Sequence, residues 1–232
     1  MRILLSSFEP FGGDPENASA ESVRLLLDRA PSLVGEVSAA AGRALAAGDL
    51  ELVGVTLPVS LDAWSVLQSA VAAHDPDLVL AVGEAGARVA ITPEVRGVNE
   101  DDFRIPDNAG NQPRGTAIED GGPAERHSDL DVDGLVAAIR EAGLPAASSA
   151  DAGRFLCNHL AYRVPSLPVP GGFVHVPAVR SRGVAGVGAE TDPGEGVSGT
   201  GGPSTDLTFE DLALALAACV AHLYTRAAEP TG

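Results

Sequence analysis

The stretch SLDAWSVLQSAVAAHDPDLVLAV, residues 60–82, sets a helix directly against a strand. Trp64, Leu67 and Val71 fall at helical spacing on one face, Ser60 stands where an N-cap serine is favoured, and Asp75-Pro76 stops the pattern. Residues 78–82 then run apolar without a break, as a strand does. Outward from this unit the same alternation recurs. Short apolar runs at residues 3–5, 52–57, 146–150 and 173–176 predict further strands. Between the first two, Val23, Leu26, Leu27 and Ala30 lie at i, i+3, i+4 and i+7 and predict a helix over residues 19–30 that Pro31 ends. A helix over 131–142 turns Leu135, Val136 and Ile139 inward, with Gly143 at its C-cap and Pro145 beyond. A last helix starts at Thr208, has Asp211 as its capping-box partner and runs to about residue 226. Strands alternating with helices define an α/β layered fold, and no composition shift marks a boundary, so a single domain over 1–232 is expected.

Two stretches are irregular. Residues 99–129 are polar but not of low complexity and read as a structured loop beside a site, whereas 183–206 hold eight Gly and two Pro and read as a mobile loop. The net charge of 15 − 32 = −17, with no basic cluster, carries no footprint for nucleic acid or an anionic membrane and favours a neutral or cationic small partner. Apolar residues make up 45% of the chain, enough for a core, yet no run approaches the ~18 residues that span a bilayer. The start Met1 to Leu5 turns polar at Ser6-Ser7, too early for a signal h-region, and two cysteines cannot build a disulfide framework. The expected location is the cytoplasm.

The cysteines differ in context. Cys219 shares a helix face with Leu212, Leu216 and Leu223 and reads as a small core hydrophobe. Cys157 lies where a loop passes into a short helix, and there the backbone N–H groups and the helix dipole favour a thiolate and can hold an oxyanion. Position alone leaves a nucleophile and a buried structural thiol both open. A nucleophilic thiol needs a base. His74 and His222 lie near helix ends, His127 sits in a charged loop, and His159, two residues from Cys157, points off another helix face. His175 lies within an apolar strand, as a base or as a core histidine satisfied by a carbonyl. Glu94, a carboxylate just after an apolar stretch, is the candidate third member, or an ordinary surface glutamate.

Other chemistry finds no motif. Gly186-Val187-Gly188 and Gly12-Gly13 fall short of a dinucleotide fingerprint, there is no Walker loop, and no spacing resembles a zinc site. Glu100, Asp101 and Asp102 read as a solvated acidic loop rather than a cation site. Neither a metal nor an organic cofactor is expected.

Six strings, in order, resemble the pyroglutamyl peptidase I family of cysteine peptidases, also called pyrrolidone-carboxylate peptidases. They are Phe8-Glu9-Pro10-Phe11-Gly12-Gly13 with Asn17-Ala18-Ser19, residues 82–88, Ile91-Thr92-Pro93-Glu94, Arg104-Ile105-Pro106-Asp107-Asn108, Ala152-Gly153 to Cys157-Asn158, and residues 172–177. The resemblance implies a three-layer α/β/α sandwich around a mixed, largely parallel central sheet, often assembled as a homotetramer. It implies a triad of Cys157, His175 and Glu94 that cleaves an N-terminal pyroglutamyl residue from peptides, with an oxyanion site at the Cys157 N–H and Arg104. Phe8 and Phe11 become walls around the lactam, flanked by Gly12 and Asn17, and the segment at Glu84 holds its amide. The chain departs from the family pattern at Glu84, where the pattern has glutamine, at Ser6-Ser7, and after Pro177, where Ala178-Val179-Arg180 replace Pro-Glu-Gln. Two other functions stay open: a catalytically silent relative that binds a lactam or peptide N-terminus, and an amidase for another small cyclic amide.

Overall fold

A computed structural model describes residues 1–181 and 206–228. In chain order the strands are β1 (Arg2–Phe8), β2 (Glu51–Leu57), β3 (Leu78–Ala85), β4 (Thr92–Pro93), β5 (Arg96–Val98), β6 (Glu125–His127) and β7 (Gly171–Pro177). The helices are α1 (Ala18–Asp28), α2 (Ala30–Val37), α3 (Ala39–Ala47), α4 (Ala63–His74), α5 (Val132–Glu141), α6 (Leu156–Arg163) and α7 (Phe209–Ala228). The main sheet has the order β2-β1-β3-β7-β4, parallel except for β4, which runs antiparallel to β7. A small antiparallel pair, β5 and β6, stands apart from it.

The period of two along each buried strand divides the interior into two cores. Ile3, Leu5, Leu78, Leu80, Val82, Val174 and Val176 pack beneath α1, α2, α3, α5 and α7. Leu4, Phe8, Val79, Ala81 and Phe173 pack beneath α4 and α6. The result is the expected α/β/α sandwich with a mixed, mostly parallel sheet. Among the described residues no helix is long and apolar enough to cross a membrane.

Several local expectations are corrected. Residues 146–150 form no strand, only the bridges Ile91↔Ala146 and Glu94↔Ser149. Their small side chains leave little to bury, and only Ala146 is buried. Pro31 does not end helical structure at Ala30, because it enters the first turn of α2, where its missing N–H is not needed. The sequence reading anticipated neither α2 nor α3. They cross with backbones in contact: a Cβ at Gly42 would stand 2.5 Å from the Gly35 Cα. Ser60 is not the N-cap of α4, whose first residue is Ala63, since its hydroxyl accepts from the Asp62 N–H in the turn before. The helices expected near residues 19–30 and 131–142 form, with N-caps that the sequence reading did not name, and the capping box at Thr208 holds. Asn17 caps α1 and Asp131 caps α5, and Thr208 and Asp211 exchange hydrogen bonds across the first turn of α7.

Residues 99–129 are structured. Phe103 is fully buried, and the Asp107 carboxylate accepts from the Leu61, Ala109 and Asn111 N–H groups. The 183–206 stretch lies, up to its last residue, outside the described residues. From β1 the chain moves to β2 on one side and then returns to β3 on the other, so β1 and β3 flank the point where the strand order reverses. The crevice at the carboxyl ends of strands flanking such a point is where open α/β sheets place their sites.

Candidate active site

His175 lies on β7, two residues after Phe173, so both side chains share the face turned toward α4 and α6. Its ring packs edge-on against Phe173, with centroids 4.9 Å apart. β4 pairs with β7 through Thr92↔His175, and the next N–H, that of Glu94, donates to the Phe173 carbonyl at 2.8 Å. This short antiparallel strand brings Glu94 to the imidazole, with His175 Nδ1 2.7 Å from Glu94 Oε1 and both residues buried. Arg88 Nη1 donates to the same carboxylate oxygen at 2.5 Å and also to the Thr92 hydroxyl, and Nη2 donates to the Asp151 carbonyl.

Burial pushes the Glu94 carboxyl up. The His175 hydrogen bond, the His175 charge and the Arg88 guanidinium outweigh it and hold the group below its ordinary value. Glu94 is therefore an ionised acceptor, so the shared proton sits on His175 Nδ1 and leaves Nε2 for a second partner.

Cys157 is the second residue of α6, which follows Phe155 as N-cap. Its sulfur approaches the sheet at Gly83, where an added Cβ would stand 2.8 Å from Sγ and 2.6 Å from Phe173 Cζ. Gly83 is the register partner of His175. The absence of a side chain at 83 thus brings the thiol to the strand position beside the imidazole. Cys157 is partly exposed, whereas Cys219 is fully buried and its thiol is pushed up to about 12 by desolvation.

The chain resembles known proteins along most of its length. The family model described as pyroglutamyl peptidase matches residues 1–197. The chain belongs to the pyroglutamyl peptidase family. It is 44% identical over 182 residues to the pyrrolidone-carboxylate peptidase of Streptomyces coelicolor, covering 76% of this chain and 77% of that one. With the Erwinia tasmaniensis pyrrolidone-carboxylate peptidase it shares 37% identity over 224 residues, covering 94% and 92% of the two chains. The crystal structure of Bacillus amyloliquefaciens pyroglutamyl peptidase I superposes with a TM-score of 0.75 at 33% identity, over 95% of both chains.

The remaining residues anticipated from the pyroglutamyl peptidase pattern are placed as follows. Phe8 is buried at the end of β1, within the α4 and α6 core. Phe11 is partly buried, its ring 5.4 Å from that of Phe155, which in turn lies 4.5 Å from Phe103. Gly12 and Gly13 both take positive φ, 64° and 87°, a turn that a side chain would strain. Asn17 caps α1 through Ser19 and donates to the Glu9 carbonyl. The Arg104 side chain is exposed and pairs with no described carboxylate, one residue beyond the buried Phe103. The Glu84 carboxylate accepts from the Ala18 N–H and from both Nη atoms of Arg180. Position 84 is thereby engaged within the protein.

Three of the other four histidines pair elsewhere, His159 with Asp101 at 2.8 Å, His222 with Asp131 and the exposed His127 with Glu125. Sequence reasoning gave no role to Arg88, to Arg180 or to Asn158, whose side chain bonds Val98 N–H, Val98 O and Glu100 O and so ties β5 to α6. Arg88 stands within a quoted motif, but its pairing with Glu94 exists only once β4 is formed. Among the described residues no group of three His, Cys, Asp or Glu side chains is arranged to hold a metal ion.

Proposed function

We propose that the chain is a cysteine exopeptidase that hydrolyses the amide bond after an N-terminal pyroglutamyl residue of peptides, with Cys157, His175 and Glu94 as its catalytic triad. The observation that carries the reading is the 2.7 Å bond from His175 to an ionised Glu94, with the Cys157 sulfur set beside the strand partner of His175, in a member of the pyroglutamyl peptidase family.

His175 Nε2 takes the thiol proton and the Cys157 sulfur attacks the pyroglutamyl carbonyl carbon. The negative charge on the carbonyl oxygen is met by the backbone N–H at Cys157, near the start of α6, and by the Arg104 guanidinium. Collapse of the tetrahedral intermediate breaks the C–N bond, and His175 returns the proton to the departing amine. Water then adds to the thioester with His175 as base and releases pyroglutamate and the thiol. Glu94 keeps the imidazole oriented and balances its positive charge, with Arg88 holding the carboxylate in turn.

The substrate's five-membered lactam is small and mostly apolar, which suits a pocket walled by Phe8 and Phe11. Gly12, Asn17 and the segment at Glu84 complete that pocket. All of this rests on one domain, and we assign the protein to the cytoplasm as a homotetramer. Neither a metal nor an organic cofactor takes part in the proposed steps.

The test is hydrolysis of a fluorogenic pyroglutamyl amide, run beside alanyl and prolyl amides and with Cys157→Ala. Selective pyroglutamyl cleavage that the substitution abolishes is the expected result. Cleavage of all three amides, or activity that survives Cys157→Ala, overturns the reading.

A further inference from the structure

Beyond the triad, the segment that leaves β7 grips the turn that leaves β1. Arg180 is three residues past Pro177, and its side chain is only 4% exposed. Nη1 donates to Glu84 Oε2 at 2.7 Å, and Nη2 donates to Glu84 Oε1 and to Asp14 Oδ2, each at 2.7 Å. Glu84 Oε2 also accepts from the Ala18 N–H at 2.6 Å, the first residue of α1. Next to Arg180, the Ser181 N–H and hydroxyl donate to the two oxygens of Glu16, at 2.9 and 2.5 Å.

Asp14, Glu16 and Ala18 all follow the Phe11–Gly13 turn, which is closed by the Asp14 N–H donating to the Phe11 carbonyl. Gly12 and Gly13, both left-handed, give that turn little stiffness of its own. Its position is set from outside, by a guanidinium fork that spans the end of β3, the turn and the start of α1. Forked guanidinium–carboxylate pairs fix geometry as well as charge, and a lysine cannot reproduce them. Removing Arg180 would leave the largely buried Glu84 carboxylate at the end of β3 without its guanidinium counter-charge.

We propose that Arg180 is a positioning residue for substrate affinity: through Glu84 and Asp14 it holds the Phe11–Gly13 turn against the N-terminus of α6, so that Phe11 forms the pocket wall. The inference rests on the function proposed above. It assigns Arg180 to binding rather than to proton transfer, because the guanidinium bonds neither Glu94 nor His175. It also accounts for a carboxylate at position 84, which an arginine partner requires and a glutamine would pair with less strongly.

The experiment measures kcat and KM on a pyroglutamyl amide for wild type, Arg180→Gln, Arg180→Lys and Glu84→Gln. Amide hydrogen exchange over residues 9–18 is followed in parallel. Arg180→Gln is expected to raise KM by about tenfold or more while kcat stays within about threefold, and to speed exchange at the Ala18 amide, since breaking one side of a buried pair leaves the other unpaired. Arg180→Lys restores part of the KM, and Glu84→Gln shifts KM in the same direction. Should Arg180→Gln not fold, the other two variants read the same quantity. KM unchanged in the variants, or kcat falling with KM constant, overturns the inference while leaving the functional reading intact. A wild type that cleaves no pyroglutamyl amide overturns the functional reading, and this inference with it.

Discussion

Gly83 on β3 and Cys157 on α6 meet where the sheet touches the helix: a Cβ built on Gly83 would stand 2.8 Å from the Cys157 sulfur and 2.6 Å from the Phe173 ring. The position opposite Gly83 in the sheet is His175. One missing side chain therefore lets the thiol approach the strand position beside His175. Gly83→Ala is expected to push Cys157 outward and lower kcat/KM by about a hundredfold, since a displacement of about 1 Å at reacting atoms costs that much. In thermal unfolding the same substitution is expected to cost about 1–3 kcal/mol. A fully active Gly83→Ala enzyme would show that Cys157 is not the nucleophile.

Glu94→Gln removes the charge that orients His175 and pairs with Arg88. The expected loss in kcat is about a hundredfold or more, with KM little changed. The same group sets an acid limit on stability. Its carboxyl is held below the ordinary 4.5, so the unfolded chain binds a proton there more readily than the folded one. The stability from this ionised group is complete above pH about 4.5 and is lost as pH falls through the lower folded value. Urea unfolding of wild type against Glu94→Gln is expected to show a gap of about 3–5 kcal/mol near neutral pH that narrows in acid. A gap independent of pH would mean that Glu94 is not ionised in the folded protein.

The two thiols differ in reach and in chemistry. Cys219 is fully buried with its thiol pushed up to about 12, and Cys157 is partly exposed at a helix start. Iodoacetamide at neutral pH is expected to label Cys157 and to abolish hydrolysis while Cys219 stays intact, as peptide mass spectrometry of the folded protein would show. Equal labelling at both positions would contradict this.

Three glycines separate close backbone approach from mere flexibility. A Cβ at Gly97 would stand 2.1 Å from the Tyr162 backbone nitrogen, so β5 lies directly on the α6 backbone. Gly97→Ala is expected to cost about 3 kcal/mol or more. Gly42→Ala meets the Gly35 Cα and destabilises as well. At Gly35 the nearest atom to an added Cβ is 3.8 Å away, and Gly35→Ala within α2 is expected to stabilise by about 0.5–1 kcal/mol. Thermal denaturation of the three variants checks the order.

What could be read from the chain alone were the features written within a few residues: the apolar runs of β1, β2, β3 and β7, the capping box of Thr208 and Asp211, and the placement of Cys157 at the start of a helix. Side-chain periodicity and capping act over one or two turns, so a linear reading detects them. The same locality made Pro31 look like an end when it was a beginning, and made residues 146–150 look like a strand although the small side chains there bury little. The motif strings named Glu94 and His175 together, but spacing left a core histidine and a surface glutamate open. Only the tertiary structure decided that the two bond across 81 residues of chain, that Arg88 joins them, and that Arg180 reaches Glu84 and Asp14 over 96 and 166 residues. Such pairs carry no periodic signal. They are set by the sheet order β2-β1-β3-β7-β4, which gathers the ends of distant strands around one crevice, and by burial, which strengthens each charge pair placed there.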